Sequence, residues 1–238
     1  MKHLSRIDIE EIAQRYIKAY LELPEVKGTH IYRIDPELFV EKVLGLTIQY
    51  EHLSYDGKTL GLTSFEEVAV SVLTEADEEE FVLLDGKTVL IESDLKIDKK
   101  WRGRKNFTIM HEGCHQIFKA LYPNDYGGAR EKAGGVHYYK VNEDKSRRIK
   151  DWEEWQANTL CSAIFLPPDL IKQSMYLFEL GEKIDCLNKI FRPVVYEKFS
   201  AMADFLGSSK KALAIRMKQL ALLKEEYLDN PMQMADVY

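Results

Sequence analysis

The residue types of a metal site occur together in one short segment, His-Glu-Gly-Cys-His at residues 111–115. On a helix, His111 and His115 are one turn apart and about 40° apart around the axis, so both imidazoles can bind one zinc ion. Glu112 lies beside that face, where it can reach a zinc-bound water as a general base. The alternative is a pair of histidines that are hydrogen-bonded on an amphipathic helix without a metal.

A catalytic zinc keeps three protein ligands and one open position, so a third ligand must come from elsewhere in the chain. The segment that begins at Asp151 predicts a helix on which Glu154 and Asn158 share one stripe. Glu154 can bind the metal there, and Asn158 can orient a ligand side chain through a hydrogen bond without binding the metal itself. Two alternatives stay open: Asp151 and Glu154 form a capping box without a metal, or Glu153 or Asp151 takes the place of Glu154 as ligand.

A hydrolytic site also needs a donor for the oxyanion that develops on the substrate. His137, Tyr138 and Tyr139 lie in a predicted strand, residues 136–141, which follows two glycine pairs. These three residues are the candidates, and the alternative is that they are ordinary surface aromatics.

The three cysteines, Cys114, Cys161 and Cys186, are an odd number without the spacing of a disulfide framework. Cys114 is predicted to be a small buried side chain rather than an extra ligand, because it points off the histidine stripe. A glycine inside a helix lowers its stability by about 1 kcal/mol relative to Ala, so Gly113 indicates either close packing at this position or a less stable helix.

The elements that would position these residues predict an α+β fold, with a small sheet packed with helices around the histidine helix. Ser5 and Asp8 indicate the start of an amphipathic first helix. Strands are expected from the Val, Ile, Leu and aromatic content, and Asp85-Gly86 predicts a hairpin between the last two. The predicted strands are 46–53, 67–73, 81–84 and 87–91.

Helix boundaries are predicted from proline, glycine and capping residues. A short helix is expected over residues 36–44, followed by Gly45. The histidine helix is expected over 107–121, with Asn106 as its N-cap and Pro123 as its stop. The helix that follows Asp151 is expected to close at Pro167-Pro168.

Near the carboxyl end, residues 196–224 predict two helices, 197–206 and 209–223, joined by a turn at Gly207. Their spacing is typical of a helix-turn-helix, and the segment is basic. A DNA-binding role is one interpretation. The favoured one is a helical hairpin whose apolar residues pack on the rest of the chain. We therefore expect a metallopeptidase domain over residues 1–190 and a C-terminal helical region over 191–238.

Composition restricts the class of protein. The chain has 238 residues, 45% of them hydrophobic, and a net charge of −6. No stretch approaches the ~18 apolar residues of a membrane span, and the amino terminus lacks the apolar core of a signal peptide, so a cytoplasmic protein without a membrane partner is expected. The basic run at residues 99–105 is expected to be a solvated face, with docking of an acidic substrate segment as the alternative.

Taken together, two motifs resemble the ImmA/IrrE family of zinc metallo-endopeptidases. They are His111-Glu112-x-x-His115 after Phe107-Thr108, and Glu154-x-x-Ala157-Asn158 running into Leu166-Pro167. The resemblance covers roughly residues 5–225. It implies a gluzincin-like site that holds one Zn²⁺ through His111, His115 and Glu154, with Glu112 as the catalytic acid/base. The family motif usually reads His-Glu-Leu-Gly-His, so the inner Gly-Cys pair is a departure.

The same resemblance implies a substrate class, because this family cleaves helix-turn-helix repressors encoded beside it. We therefore expect a DNA-binding repressor as protein substrate, and no direct nucleic-acid partner. Three alternatives stay open. The first is a metal-binding sensor that binds a repressor or DNA without proteolysis. The second is a DNA-binding regulator that uses residues 196–224, and the third is a metal-free helical interaction protein.

Overall fold

The computed structural model of the chain describes residues 3–74, 76, 78–126, 136–140, 152–224 and 226–227. These residues form a mixed α+β fold in which a small sheet packs against helices, as expected. The chain divides into two compact units. The first combines Met1–Thr29 with Asp35–Ile164, and the second combines His30–Ile34 with Phe165–Tyr238.

Helices and strands alternate irregularly along the chain. The described helices are α1 (Arg6–Leu21), α2 (Pro36–Leu38) with a π-helix continuing it (Phe39–Val43), α3 (Asp94–Ile97), a 3₁₀ turn (Lys99–Trp101), α4 (Arg102–Leu121), α5 (Trp152–Phe165), α6 (Pro168–Leu177), α7 (Pro193–Phe205) and α8 (Lys210–Gln219). The described strands are β1 (Thr47–Glu51), β2 (Thr59–Ser64), β3 (Glu67–Leu73), β4 (Glu79–Asp85), β5 (Thr88–Glu92), β6 (Val136–Lys140), β7 (Leu187–Asn188) and β8 (Glu226–Tyr227).

The main sheet has the strand order β1-β5-β2-β6. β1 and β5 run parallel, whereas β2 is antiparallel to both β5 and β6. Every residue of the central strands β2 and β5 is buried, and α4 packs against both strands. A separate hairpin, β3–β4, contributes to an apolar cluster of Leu62, Val70, Val72, Leu84 and Leu90. Burial of such side chains, about 1.5–3 kcal/mol each, fixes the sheet beneath α4.

The hairpin prediction at Asp85-Gly86 is wrong. A turn is present, since Lys87 N–H donates to Asp85 Oδ1 at 2.8 Å and Gly86 has a φ of 76°. However, β4 pairs with β3, while β5 pairs with β1 and β2. A turn signal sets only a local change of direction, whereas a strand buried on both faces takes its neighbours from distant parts of the chain.

The sequence interpretation also missed β2. Its residues, Thr-Leu-Gly-Leu-Thr-Ser, are all buried, although four of the six are polar or lack a side chain. Only two of its residues, Leu60 and Leu62, are strongly apolar, and both faces of the strand are buried, so the segment lacks the Val, Ile and aromatic content from which the other strands were predicted.

The first helices begin where capping residues predict them. Ser5 and Asp8 form a capping box at the start of α1. Asp35 caps α2 by accepting the N–H groups of Glu37 and Leu38. The helical path then continues in π geometry to Val43, close to the expected end.

The expected N-cap of the histidine helix is wrong. α4 begins at Arg102, so Asn106 lies one turn inside it. Asp98 caps the preceding 3₁₀ turn by accepting the Lys100 N–H at 2.8 Å. Lys and Arg are good helix formers, which is why the basic run enters the helix instead of preceding it. The end at Leu121, before Pro123, agrees with the prediction.

In the second unit, α7 and α8 flank the turn at Gly207, whose φ is 71°. α7 begins earlier than predicted because Pro193 fits a first helical turn. α8 ends earlier than predicted because Ala221 takes a left-handed φ of 56°. Within the described part of the chain, no helix has both the length and the apolar character needed to cross a membrane.

Candidate metal centre

Two histidines of α4 meet at one point. His111 and His115 are one helical turn apart, and both side chains are buried. Their Nε2 atoms lie 3.0 Å from each other, so the two ring nitrogens converge from one face of the helix as the spacing predicts.

α5 supplies a carboxylate to the same point. Glu154 Oε2 lies 3.2 Å from Nε2 of His111, and Oε1 lies 3.5 Å from Nε2 of His115. Zinc bonds of about 2.0–2.2 Å at the tetrahedral angle place neighbouring ligand atoms about 3.3–3.6 Å apart. The three groups lie within a few tenths of an ångström of that spacing and could hold one metal ion.

The structure distinguishes between the candidates for the third ligand. Glu154 belongs to the group that could hold a metal. Its neighbour Glu153 is buried but does not belong to that group, and its carbonyl oxygen lies 3.5 Å from the hydroxyl of Tyr126. Asp151, and with it the capping-box alternative, lies outside the described residues.

Protonation states in the site suit a cation. Burial lowers the pKa of His111 to about 4, although hydrogen bonding with Glu154 opposes the shift. His111 is therefore neutral near pH 7 and has a lone pair for a metal. Burial acts to raise the pKa of Glu154, but the imidazoles of His111 and His115 beside it hold it well below its usual range. The glutamate is therefore ionised.

Asn158 lies one turn after Glu154 on α5. Its Nδ2 donates to the carbonyl oxygen of Glu154 at 2.8 Å. The same side chain acts to raise the pKa of the His111 imidazole. The amide thus binds the backbone of one predicted ligand and influences the protonation of another.

Glu112 is fully buried on the side of α4 that faces β2. Sequence reasoning missed the residue that makes room for it, Gly61. A Cβ atom added to Gly61 would lie 2.7 Å from Oε1 of Glu112 and 2.6 Å from Cγ2 of Thr108. A glycine inside a strand is the available signal, because it marks a close approach.

Tyr139 is the one candidate oxyanion donor whose side chain the structure describes. It extends from β6, and its ring centroid lies 4.2 Å from that of His111. Burial raises its pKa, and the negative charges of Glu112 and Glu154 raise it further. The phenol therefore keeps its proton at neutral pH. His137 and Tyr138 have described backbone in β6, but their side chains lie outside the described part.

Gly113 and the two cysteines nearest the metal group, Cys114 and Cys161, lie in closely packed surroundings. A Cβ on Gly113 would lie 3.0 Å from Leu44 Cδ1 and from Val40 Cγ2, which supports the close-packing interpretation of this glycine. Cys114 is fully buried and does not belong to the metal group. Cys161 is also buried, and its thiol donates to the carbonyl oxygen of Phe107 at 3.5 Å.

A second group of possible ligands lies where β1 and β5 end: His52, Glu92 and Asp94. Its buried carboxylate already binds the backbone. Glu92 Oε2 accepts the Leu53 N–H at 2.9 Å, and Oε1 accepts the Asp94 N–H at 3.3 Å. We therefore interpret Glu92 as an anchor that joins the ends of the two strands.

The basic run binds groups of its own unit. Lys105 Nζ lies 2.7 Å from Glu37 Oε1, and the Arg104 guanidinium lies 4.5 Å from the ring centroid of Trp101. Lys100 Nζ also lies 2.9 Å from Asp98 Oδ2.

A scan against models of protein families finds no match to this chain, and a comparison with curated proteins finds none. What the described residues define is a helical His-x-x-x-His pair that a glutamate from a second helix completes, a group that could hold a metal ion.

Proposed function

We propose that the chain is a zinc-dependent endopeptidase of the ImmA/IrrE type that hydrolyses a peptide bond in a specific protein. The observation that carries the proposal is the convergence of His111, His115 and Glu154 at separations of 3.0 to 3.5 Å. Two imidazole nitrogens and one carboxylate are the ligand set of zinc peptidases, which keep the fourth position for water or substrate.

The choice of zinc rests on the donor atoms. Mg²⁺ and Ca²⁺ prefer six or more oxygen ligands, whereas imidazole suits zinc and other transition metals. The carboxylate side chain of Glu154 is 24% exposed, and this opening favours a catalytic site over a sealed structural one.

Bound zinc would lower the pKa of water to about 7 and polarise the scissile carbonyl group. Glu112 is the next residue after His111 on α4, and its charge acts on Tyr139 above the same site. In the proposed reaction, the Glu112 carboxylate takes a proton from the attacking water and returns it to the departing amine.

Tyr139 is the proposed oxyanion donor. Its phenol keeps its proton near neutral pH, and its ring lies over His111. A neutral hydroxyl at this position can donate to the oxygen that becomes negative when water adds to the carbonyl carbon.

The proposed substrate is a helix-turn-helix repressor, and this choice rests on the family resemblance. The proposal includes a cytoplasmic location and no direct nucleic-acid partner. It also includes a helix-turn-helix-like arrangement of α7 and α8 that packs through its apolar residues. Phe199, Met202, Leu213 and Met217 are buried in that unit, which supports packing over DNA binding for these side chains.

The experiment combines metal analysis with cleavage. Purified wild-type protein and Glu112→Gln should each hold one zinc per chain, whereas Glu154→Ala should hold almost none. Only the wild type should cleave the helix-turn-helix proteins encoded beside its gene, scored by mass spectrometry of new amino termini. Glu11→Gln, which changes an exposed carboxylate on α1, is the matched control and should cleave normally.

Two results would contradict the proposal. Cleavage by Glu112→Gln at the wild-type rate would show that Glu112 is not the general base. Stoichiometric zinc together with repressor binding but no cleavage would favour the metal-dependent sensor instead.

A further inference from the structure

The chain reverses direction directly after the histidine helix. Tyr122 N–H donates to Phe118 O at 2.8 Å, and Tyr126 N–H then donates to Tyr122 O at 2.9 Å. Tyr126 comes eleven residues after His115. If α4 continued that far, the two residues would be about 16 Å apart along the helix axis. Pro123 prevents this continuation, and the turn brings Tyr126 back to the metal group.

Tyr126 contacts the far side of one predicted ligand. Its hydroxyl lies 2.7 Å from Nδ1 of His115, and both side chains are buried. The hydroxyl also faces the carbonyl oxygen of Glu153, 3.5 Å away. A carbonyl can only accept, so a tyrosine hydroxyl that donates to Glu153 has its oxygen free to accept from Nδ1–H of the histidine.

This arrangement favours one tautomer of His115. When Nδ1–H donates to Tyr126, a neutral ring carries no proton on Nε2. Nε2 is the atom that faces His111 and Glu154. We propose that Tyr126 is a positioning residue that holds His115 as the Nδ1–H tautomer with the Nε2 lone pair directed at the metal position. The proposal rests on the metal site of the proposed function, but not on peptidase activity.

The surroundings of Tyr126 fix its position. Its ring stacks on Phe118 of α4, with centroids 5.4 Å apart and an interplanar angle of 30°. Lys119 Nζ donates to the Tyr126 carbonyl oxygen at 3.3 Å. One hydroxyl therefore links a ligand on α4 to the peptide that immediately precedes the ligand Glu154 on α5. Partners of this kind orient ligands in metalloproteins, and their loss costs about 10–100-fold in metal affinity or activity.

The test is Tyr126→Phe, which removes the hydroxyl and keeps the ring. Zinc affinity is measured by competition with a chromophoric chelator. The Kd of the variant should rise about 10–100-fold, while thermal unfolding of the metal-free protein shows that the fold is kept. The matched control is Tyr20→Phe. Tyr20 is equally buried, and its hydroxyl accepts the Asp35 N–H at 3.1 Å, so its loss should leave the zinc Kd unchanged.

A second measurement addresses the tautomer directly. Imidazole ¹⁵N shifts of His115 in the metal-free wild type should report Nδ1–H, and Tyr126→Phe should show a mixture of tautomers. An Nε2–H tautomer in the wild type would overturn the proposal, as would a zinc Kd of Tyr126→Phe within about twofold of the wild-type value. Both readouts are independent of cleavage, so they stand if the chain proves to bind zinc without being a peptidase.

Discussion

Gly61 and Glu112 are in such close contact that no side chain fits between them. A Cβ atom on Gly61 would lie 2.7 Å from Glu112 Oε1 and 3.0 Å from its Cγ. Gly61 belongs to the fully buried strand β2, against which α4 packs. The backbone of the sheet thus forms one wall of the space that the glutamate occupies.

Gly61→Ala should therefore displace Glu112 more than it disturbs the metal ligands. Overpacking of this kind costs about 1–3 kcal/mol of folding stability. We expect zinc content near one per chain with a large loss of kcat, because a general base acts only from a correct position. Zinc analysis and steady-state kinetics check this. Unchanged kcat in a well-folded variant would contradict the role of the close contact.

Gly113→Ala adds a methyl group on α4. The new methyl carbon would lie 3.0 Å from the side-chain ends of Leu44 and Val40, which can shift to make room for it. The gain in helix propensity, about 1 kcal/mol, offsets the crowding. Urea unfolding should show a net change within about 1 kcal/mol, and zinc content should stay at one per chain. Loss of zinc would show that Gly113 shapes the ligand positions.

Metal removal should destabilise the chain. A ligand that binds only the folded state contributes RT ln(1 + [L]/Kd), about 2.7 kcal/mol at a hundredfold excess over Kd. Scanning calorimetry should therefore show a lower Tm after treatment with a chelator, and recovery when zinc is added back. Glu154→Ala is the control, because a chelator should change its Tm little. An equal chelator effect in that variant would place the metal elsewhere.

The histidine pair could be predicted from the sequence because its geometry is local: four residues on a helix place His111 over His115 whatever surrounds them. The stripe shared with Asn158 favoured Glu154 as the third ligand but left Glu153 open, because these neighbours differ only in the direction each takes from α5. The roles of Gly61 and Tyr126 were not predicted. The role of Gly61 depends on strand pairing and that of Tyr126 on a chain reversal, and neither feature leaves a periodic pattern in the sequence.

Acid should weaken one ion pair of the first unit. Burial acts to raise the pKa of Glu37, but hydrogen bonds from Lys105 and Tyr50 lower it below its ordinary value of 4.5. A carboxyl whose pKa is depressed by folding stabilises the protein above the unfolded value, and this stability is lost as the pH falls through the folded value. The loss therefore begins near pH 4.5 and increases toward lower pH.

Glu37→Gln should flatten this acid limb of the stability curve, as measured by urea unfolding across the acidic range. Lys105→Met removes the same ion pair from the other side and should flatten it as well. Because Glu37 is about half exposed, we expect a small effect at neutral pH. An acid limb that stays steep in both variants would assign the pH dependence to other carboxylates.

Tyr139→Phe separates transition-state stabilisation from metal binding. The phenol extends from β6 over His111, and its raised pKa keeps it a donor. Removal of one oxyanion donor costs about 10²–10³ in kcat, because the interaction forms only as the carbonyl oxygen becomes negative. The ring itself remains, so zinc affinity and KM should change little. Tyr20→Phe, which removes a buried hydroxyl of α1, should leave kcat at the wild-type value. A normal kcat in Tyr139→Phe would show that another group donates to the oxyanion. A loss of zinc together with the loss of kcat would show instead that Tyr139 holds His111 in position.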